Sequence, residues 1–73
     1  MEAIIDVNAI TVNKQATEEN HVLEFVEMLE NGWRYPAITV RNTEFGYVLV
    51  DGRHRLEAHK RLSRNFIRAR VTL

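Results

Sequence analysis

The 73-residue chain contains no cysteine, one proline and three glycines. Without cysteine there are no disulfides, no thiolate metal sites and no thiol nucleophile, and the redox compartment is left unconstrained. No apolar stretch approaches the length needed to span a bilayer, and there is no secretory hydrophobic region, so a cytoplasmic protein is the expectation. There is no P-loop, and no His, Asp or Glu grouping has zinc-site spacing. His21 has no second ligand candidate at metal-site spacing and reads as a surface histidine. Ser63 lies in a turn signal with no Asp-His arrangement beside it. Net charge is also missing, with ten acidic residues balanced by ten basic ones. That balance argues against generic nucleic-acid binding, which usually shows a net positive charge.

The zero total conceals an uneven distribution. Residues 1–50 hold Glu2, Asp6, Glu18, Glu19, Glu24, Glu27, Glu30 and Glu44 against Lys14, Arg34 and Arg41. Residues 51–73 hold Asp51 and Glu57 against Arg53, Arg55, Lys60, Arg61, Arg64, Arg68 and Arg70, so the two parts carry −5 and +5. Such asymmetry can dock one element on another within the monomer, or present a positive face to a nucleic acid or an acidic protein.

The richest stretch is Tyr47 to Leu62. Val48-Leu49-Val50 reads as a buried strand, Asp51-Gly52 as a sharp turn, and a helical pattern follows at once. Gly52 removes side-chain bulk where a ligand can approach the backbone. The first amides of the new helix lack partners within it and favour an anion. Gly52, Arg53, His54 and Arg55 therefore describe a phosphate-binding corner, against the plainer alternative of a tight turn with solvated arginines. Helical phase puts Leu56, Ala58, His59 and Leu62 on the buried face, and Arg53, Glu57, Lys60, Arg61 and Arg64 on the solvated one. Arg55 shares the azimuth of His59 and Leu62. A cation on a buried face needs an anionic partner, either an internal carboxylate or a ligand, which ranks Arg55 first among the candidates. Asp51 is suited to capping the helix or pairing with Arg55.

Val-Leu-Val-Asp-Gly-Arg-His-Arg-Leu-Glu-Ala at 48–58 resembles the signature of the ParB N-terminal domain and sulfiredoxin superfamily: a strand, Gly-x-[His/Arg]-Arg, then a helix with an early alanine. The resemblance extends over most of the chain as an acidic helix, a short Gly…Pro-Ile strand, a hairpin, the motif helix and a last strand. It implies that the turn binds nucleotide phosphates through Gly52, His54 and Arg55, with a nucleoside triphosphate as the candidate cofactor. Two departures stand out. Arg53 occupies the position of the reactive cysteine of sulfiredoxins, which excludes that chemistry. ParB proteins also continue into DNA-binding and dimerisation domains, for which these 73 residues leave no room.

The remaining elements follow in order. Ile4-Ile5 and Ile10-Thr11-Val12 read as a short strand or two. A helix begins near Ala16–Glu19 with Thr17 as N-cap, repeats Val22, Phe25, Val26 and Leu29 at helical spacing, and ends at Asn31-Gly32. Trp33 and Tyr35 suit core or lid packing, with ligand contact as the alternative. Pro36 forces extended backbone before the strand Ala37–Arg41. Residues 42–46 form a hairpin loop into the strand 47–51, and a helix covers 53–63. In the final segment Ile67, Ala69, Val71 and Leu73 point inward, and Arg68 and Arg70 guard an exposed edge strand.

The expected architecture is one α+β domain over residues 1–73, a small mixed sheet with two helices. Three functions are compatible with it. The first is a small non-enzymatic regulator that binds a component of the transcription or DNA-maintenance machinery, such as a phage- or plasmid-type regulator of host RNA polymerase. Its contact face would be Arg53, Lys60, Arg61 and Arg64, extended by Arg68 and Arg70. The second is a nucleotide- or DNA-phosphate-binding module of ParB type. The third is a small phosphotransferase or nuclease, for which His54 with Asp51 or Glu57 are suitable acid–base groups. A binding role ranks above an enzymatic one.

Overall fold

The computed structural model describes residues 1–13 and 16–73. Its elements run β1 (Glu2–Asp6), a 3₁₀ turn (Val7–Ala9), β2 (Ile10–Thr11), α1 (Glu19–Glu30), β3 (Ile38–Thr43), β4 (Gly46–Asp51), α2 (Arg53–Arg61) and β5 (Phe66–Thr72). The strands form one mixed sheet in the order β1-β5-β3-β4-β2. β5 is antiparallel to β1 and parallel to β3, β4 is antiparallel to β3, and β2 runs parallel to β4. This is the α+β architecture with two helices that the sequence predicts. Among the described residues no helix is long and apolar enough to cross a membrane.

Period-two alternation decides which face of each strand is buried. Ile5 of β1, Ile38 and Val40 of β3, and Ile67 and Ala69 of β5 form the core with Leu56 of α2. α2 lies on that side, and α1 packs on α2. On the opposite side, register pairs Glu2 with Arg70, Ile4 with Arg68 and Asp6 with Phe66. Ile4 and Phe66 remain 66% and 60% exposed there.

Several boundaries differ from expectation. β5 is interior to the sheet, flanked by β1 and β3, so Arg68 and Arg70 do not guard an edge. Alternation reports a buried face but carries no information about lateral neighbours. Leu73 is exposed rather than inward. Val48 and Leu49 are half-buried and Val50 is 61% exposed, because β2 pairs only with Tyr47 and Val48 and leaves the end of β4 uncovered. The hairpin is tighter than expected, with only Glu44 and Phe45 between β3 and β4, and the Thr43 hydroxyl donates to the Gly46 carbonyl at 2.8 Å.

α1 starts at Glu19, so Thr17 is not its N-cap. The N-cap is Glu18, whose side chain makes no capping bond; its backbone N–H instead donates to His54 Nε2 at 3.1 Å. The other end follows the sequence. Gly32 adopts φ +82°, and the amides of Gly32 and Trp33 bond back to the carbonyls of Leu29 and Met28. This Schellman closure turns Trp33 back along α1. α2 ends two residues before the expected position by the same device. Ser63 at φ +55° sends its N–H to the Lys60 carbonyl and that of Arg64 to the His59 carbonyl.

His59 is 1% exposed, its Nδ1–H donating to the Arg55 carbonyl at 2.7 Å and its ring edge-on to Tyr35. No hydrogen-bond partner reaches Nε2 among the described residues. Burial pushes the pKa of His59 below its ordinary 6.5, only partly opposed by the backbone bond. The unfolded chain therefore binds this proton more readily than the fold does. The stabilisation is fully present above the ordinary value and declines as pH falls through 6.5 toward the lowered folded value. We expect the melting temperature to drop between about pH 7.5 and pH 5, and to drop less in a His59→Leu variant, as followed by circular dichroism. Equal pH slopes in the two proteins would contradict this. Glu19, whose pKa is lowered chiefly by its bonds from Arg61, acts only in a separate window below 4.5.

Candidate functional site: the turn between β4 and α2

β4 ends on Asp51, and Gly52 turns the chain into α2 with φ +108° and ψ +28°. A β-carbon at Gly52 would lie 2.5 Å from Ile38 Cγ2, 2.9 Å from Ile38 Cβ and 3.0 Å from Arg55 Nη2. Both the dihedral and the space demand glycine. Gly52 is the N-cap of α2 and has no side chain to bond the first-turn amides. Its carbonyl accepts from Leu56 N–H at 2.9 Å, so the helix forms regularly from this point. The first turn of α2, with the positive end of its dipole, borders a cleft of about 530 Å³.

Arg55 borders the same cleft. Its side chain is 15% exposed, with Nη1 donating to the Pro36 carbonyl at 3.0 Å and Nη2 at 3.7 Å from Asp51 Oδ2. The internal partner is thus Asp51, whose own side chain is largely exposed. Arg53 is half-buried and borders the same cleft. His54 borders it as well but is also engaged elsewhere. Nε2 accepts from Glu18, which places the ring proton on Nδ1, and the His21 ring lies edge-on at 5.4 Å. His21 is exposed, the surface histidine the sequence suggests, and sits 3.4 Å from Glu18 Oε2.

The basic stripe on α2 is divided. Lys60 is exposed. Arg61 bonds both carboxylate oxygens of Glu19 at the start of α1, and Arg64 Nη2 donates to the Leu29 carbonyl near its end at 3.2 Å. The charge asymmetry between the two parts of the chain thus serves in part to dock the helices on each other. On β5, Arg68 donates to the Tyr35 carbonyl, lies 5.3 Å over the Tyr35 ring and sits 3.8 Å from Glu2, whereas Arg70 is exposed. The structure brings Gly52, Arg53, His54 and Arg55 together, and keeps Arg68 and Arg70 on a different element from them.

Sequence reasoning missed Arg41, which borders the cleft from β3, and Phe25, which enters it from α1. The signal for Arg41 was present in the register, since a hairpin closing at 44–45 sets it opposite Val48. Phe25 was read as core because helical spacing does not distinguish a core residue from one at a cleft wall. Among the described residues no group of three His, Asp or Glu side chains could hold a metal ion. Asp51 stands near Arg55, and nothing aligns it with His54 as an acid–base pair.

No family model matches the sequence, and no curated protein matches it. Solved structures do. Sulfiredoxin from Arabidopsis thaliana superimposes with a TM-score of 0.87 at 23% identity, over 97% of this chain and 83% of that one. The C-terminally truncated chromosome-partitioning protein ParB from Caulobacter crescentus, complexed with CTP-γ-S, gives 0.79 at 20% identity, over 100% of this chain and 45% of that one. A free serine kinase in complex with AMP gives 0.82 at 18% identity, over 96% of this chain and 30% of that one. In the ParB and the kinase the matched region is therefore less than half of a larger protein. At these identities the likeness establishes architecture, and the chain has the ParB/sulfiredoxin-like fold.

Proposed function

We propose that this domain binds the phosphates of a nucleotide at the β4–α2 turn and acts as a binding module rather than as an enzyme. The observation that carries this reading is Gly52. Its left-handed backbone turns β4 straight into α2 and its missing β-carbon leaves no side chain over the helix start, beside a cleft that Arg41, Arg53 and Arg55 border. Two proteins of the same fold are known with CTP-γ-S and AMP bound, which supports a nucleotide as the ligand class. A nucleoside triphosphate is the candidate cofactor, and its binding would regulate a larger assembly.

Titration followed by amide NMR shifts tests this. Tripolyphosphate and nucleoside triphosphates should move the amides of residues 51–56 in preference to the rest of the chain. If neither ligand moves them, the corner is not a phosphate site. Duplex DNA moving the same amides, with affinity falling steeply as salt rises, would transfer the reading to nucleic-acid phosphates.

Binding to a component of the transcription or DNA-maintenance machinery is the second reading, with a contact face other than the α2 stripe. Arg61 and Arg64 are held by α1, whereas the side of the sheet away from Leu56 exposes Ile4, Phe66 and Arg70 together. Apolar side chains beside an arginine are a common composition for an interface centre. Undiminished capture of such a partner by a Phe66→Glu variant would remove that face from consideration.

A further inference from the structure

The side of the sheet away from Leu56 carries a charge pattern that complements itself. Ile5, Ile67 and Ala69 point into the core, so alternation turns Glu2, Ile4 and Asp6 of β1 and Phe66, Arg68 and Arg70 of β5 the other way. β1 thus brings two carboxylates and β5 two guanidiniums, and each strand adds one well-exposed apolar side chain, Ile4 and Phe66. Some of these charges are engaged within the chain. Asp6 Oδ1 accepts from Asn8 N–H at 2.8 Å, and Arg68 donates to the Tyr35 carbonyl with its Nε 3.8 Å from Glu2. Arg70 is exposed, and among the described residues no side-chain bond or ion pair holds it.

A second copy can meet β1 and β5 edge to edge or face to face, and the charges discriminate. Full edge pairing of β1 with β1, centred on Ile4, sets Glu2 opposite Asp6 of the second copy. Directly opposed like charges destabilise a ladder, so this edge is guarded against extension of the sheet. Face-to-face stacking about a two-fold axis across the strands, at the level of Ile4 and Arg68, sets Arg68 on Arg68 and Glu2 on Asp6. An axis along the strands gives a different result. It lays β1 of each copy over β5 of the other and keeps the levels that the register fixes, so Glu2 meets Arg70, Ile4 meets Arg68 and Asp6 meets Phe66. The oppositely charged pair is made twice, no like charges oppose, and the strands stay near the aligned orientation that stacked sheets adopt.

We propose that the chain forms a weak, reversible two-fold dimer through the β1–β5 face, with Glu2 of each copy on Arg70 of the other. The dimer is independent of the phosphate corner, and it commits to a second copy the face that the second reading above gives to another protein. Its weakness follows from its size. β5 is seven residues long, so two strands cover roughly 10 Å by 23 Å. That is well below the about 800 Å² per partner of a stable complex.

Sedimentation equilibrium of the intact chain without ligand should show the mass rising from monomer toward dimer between about 10 µM and about 1 mM, the regime of small transient interfaces. Over the same range the amides of residues 2–6 and 66–70 should shift while those of 51–56 stay still. Glu2→Arg and Arg70→Glu should each stay monomeric and melt close to the parent, since exposed substitutions alter stability little. An equimolar mixture of these two variants should dimerise as the parent does. The mixed pair matches the unaltered Glu2 of one with the unaltered Arg70 of the other, and the two replaced positions with each other. A merely structural role for either side chain gives no such rescue. A parent that stays monomeric throughout, single variants that dimerise like the parent, or a mixture that stays monomeric would each overturn the proposal. Shifts confined to residues 2–6 would mean pairing at the β1 edge and overturn the face as well.

Discussion

Gly52→Ala is expected to destabilise the fold by roughly 2–5 kcal/mol, from about 1–2 for the left-handed backbone and about 1–3 for overpacking. The new β-carbon would sit 2.5 Å from Ile38 Cγ2 and 2.9 Å from Ile38 Cβ. Ile38 is wholly buried at the start of β3 and packs into the core, so it cannot swing away as a surface side chain would. For a domain of this size each kcal/mol moves the melting temperature by about 4–8 °C, and the variant should melt at least about 8 °C below the parent. Gly32→Ala provides the comparison. That glycine is also left-handed, at φ +82°, but a β-carbon there meets nothing within 4 Å. It should suffer only the backbone part, about 1–2 kcal/mol. If thermal denaturation finds the two variants equal, Ile38 gives way and the packing argument fails. The Gly52 variant should also lose polyphosphate binding at temperatures where it remains folded, because relieving the clash must move the α2 amides.

The organising stretch was legible because every signal in it is local. Apolar run, Asp-Gly turn and helical phase agree over residues 47–62, and the structure places β4, the Gly52 turn and α2 over 46–61. The same holds for α1, where spacing and Asn31-Gly32 mark the body and end of the helix. What the sequence withheld are long-range matters. β5 runs parallel to β3, a pairing with no turn between the partners to announce it, so an interior strand was read as an edge. Helical phase set Arg61 and Arg64 opposite the core, but it does not say that a second helix covers part of that side. The N-terminus of α1 was assigned to Thr17 by local capping preference, whereas a histidine from α2, thirty-six residues away, accepts the Glu18 amide. The cleft follows the same rule. Gly52, Arg53, His54 and Arg55, consecutive in the chain, were singled out together and border it together, whereas Phe25 and Arg41 reach it from other elements.

Arg55→Ala should weaken polyphosphate binding roughly ten- to hundredfold, since a charge-assisted hydrogen bond contributes about 1.5–3 kcal/mol and each 1.4 kcal/mol is a decade. Its effect on stability should be smaller. The variant loses one bond to the Pro36 carbonyl, of order 1 kcal/mol. The contact with Asp51 adds little, because that carboxylate is 79% exposed and 3.7 Å away. Arg55→Lys should fall between the two proteins. It keeps the charge, but an ammonium lacks the planar fork that can hold Pro36 and a phosphate oxygen at once. Arg61→Ala is the control for charge alone. It removes the same charge from the same helix, yet Arg61 bonds Glu19 and does not border the cleft. Isothermal titration should show its polyphosphate affinity within about threefold of the parent, the residue of a long-range Coulomb effect screened by salt. Should Arg61→Ala weaken binding as much as Arg55→Ala, the ligand is responding to the net charge of α2, and the guanidinium held between Pro36 and Asp51 has no special part in the site.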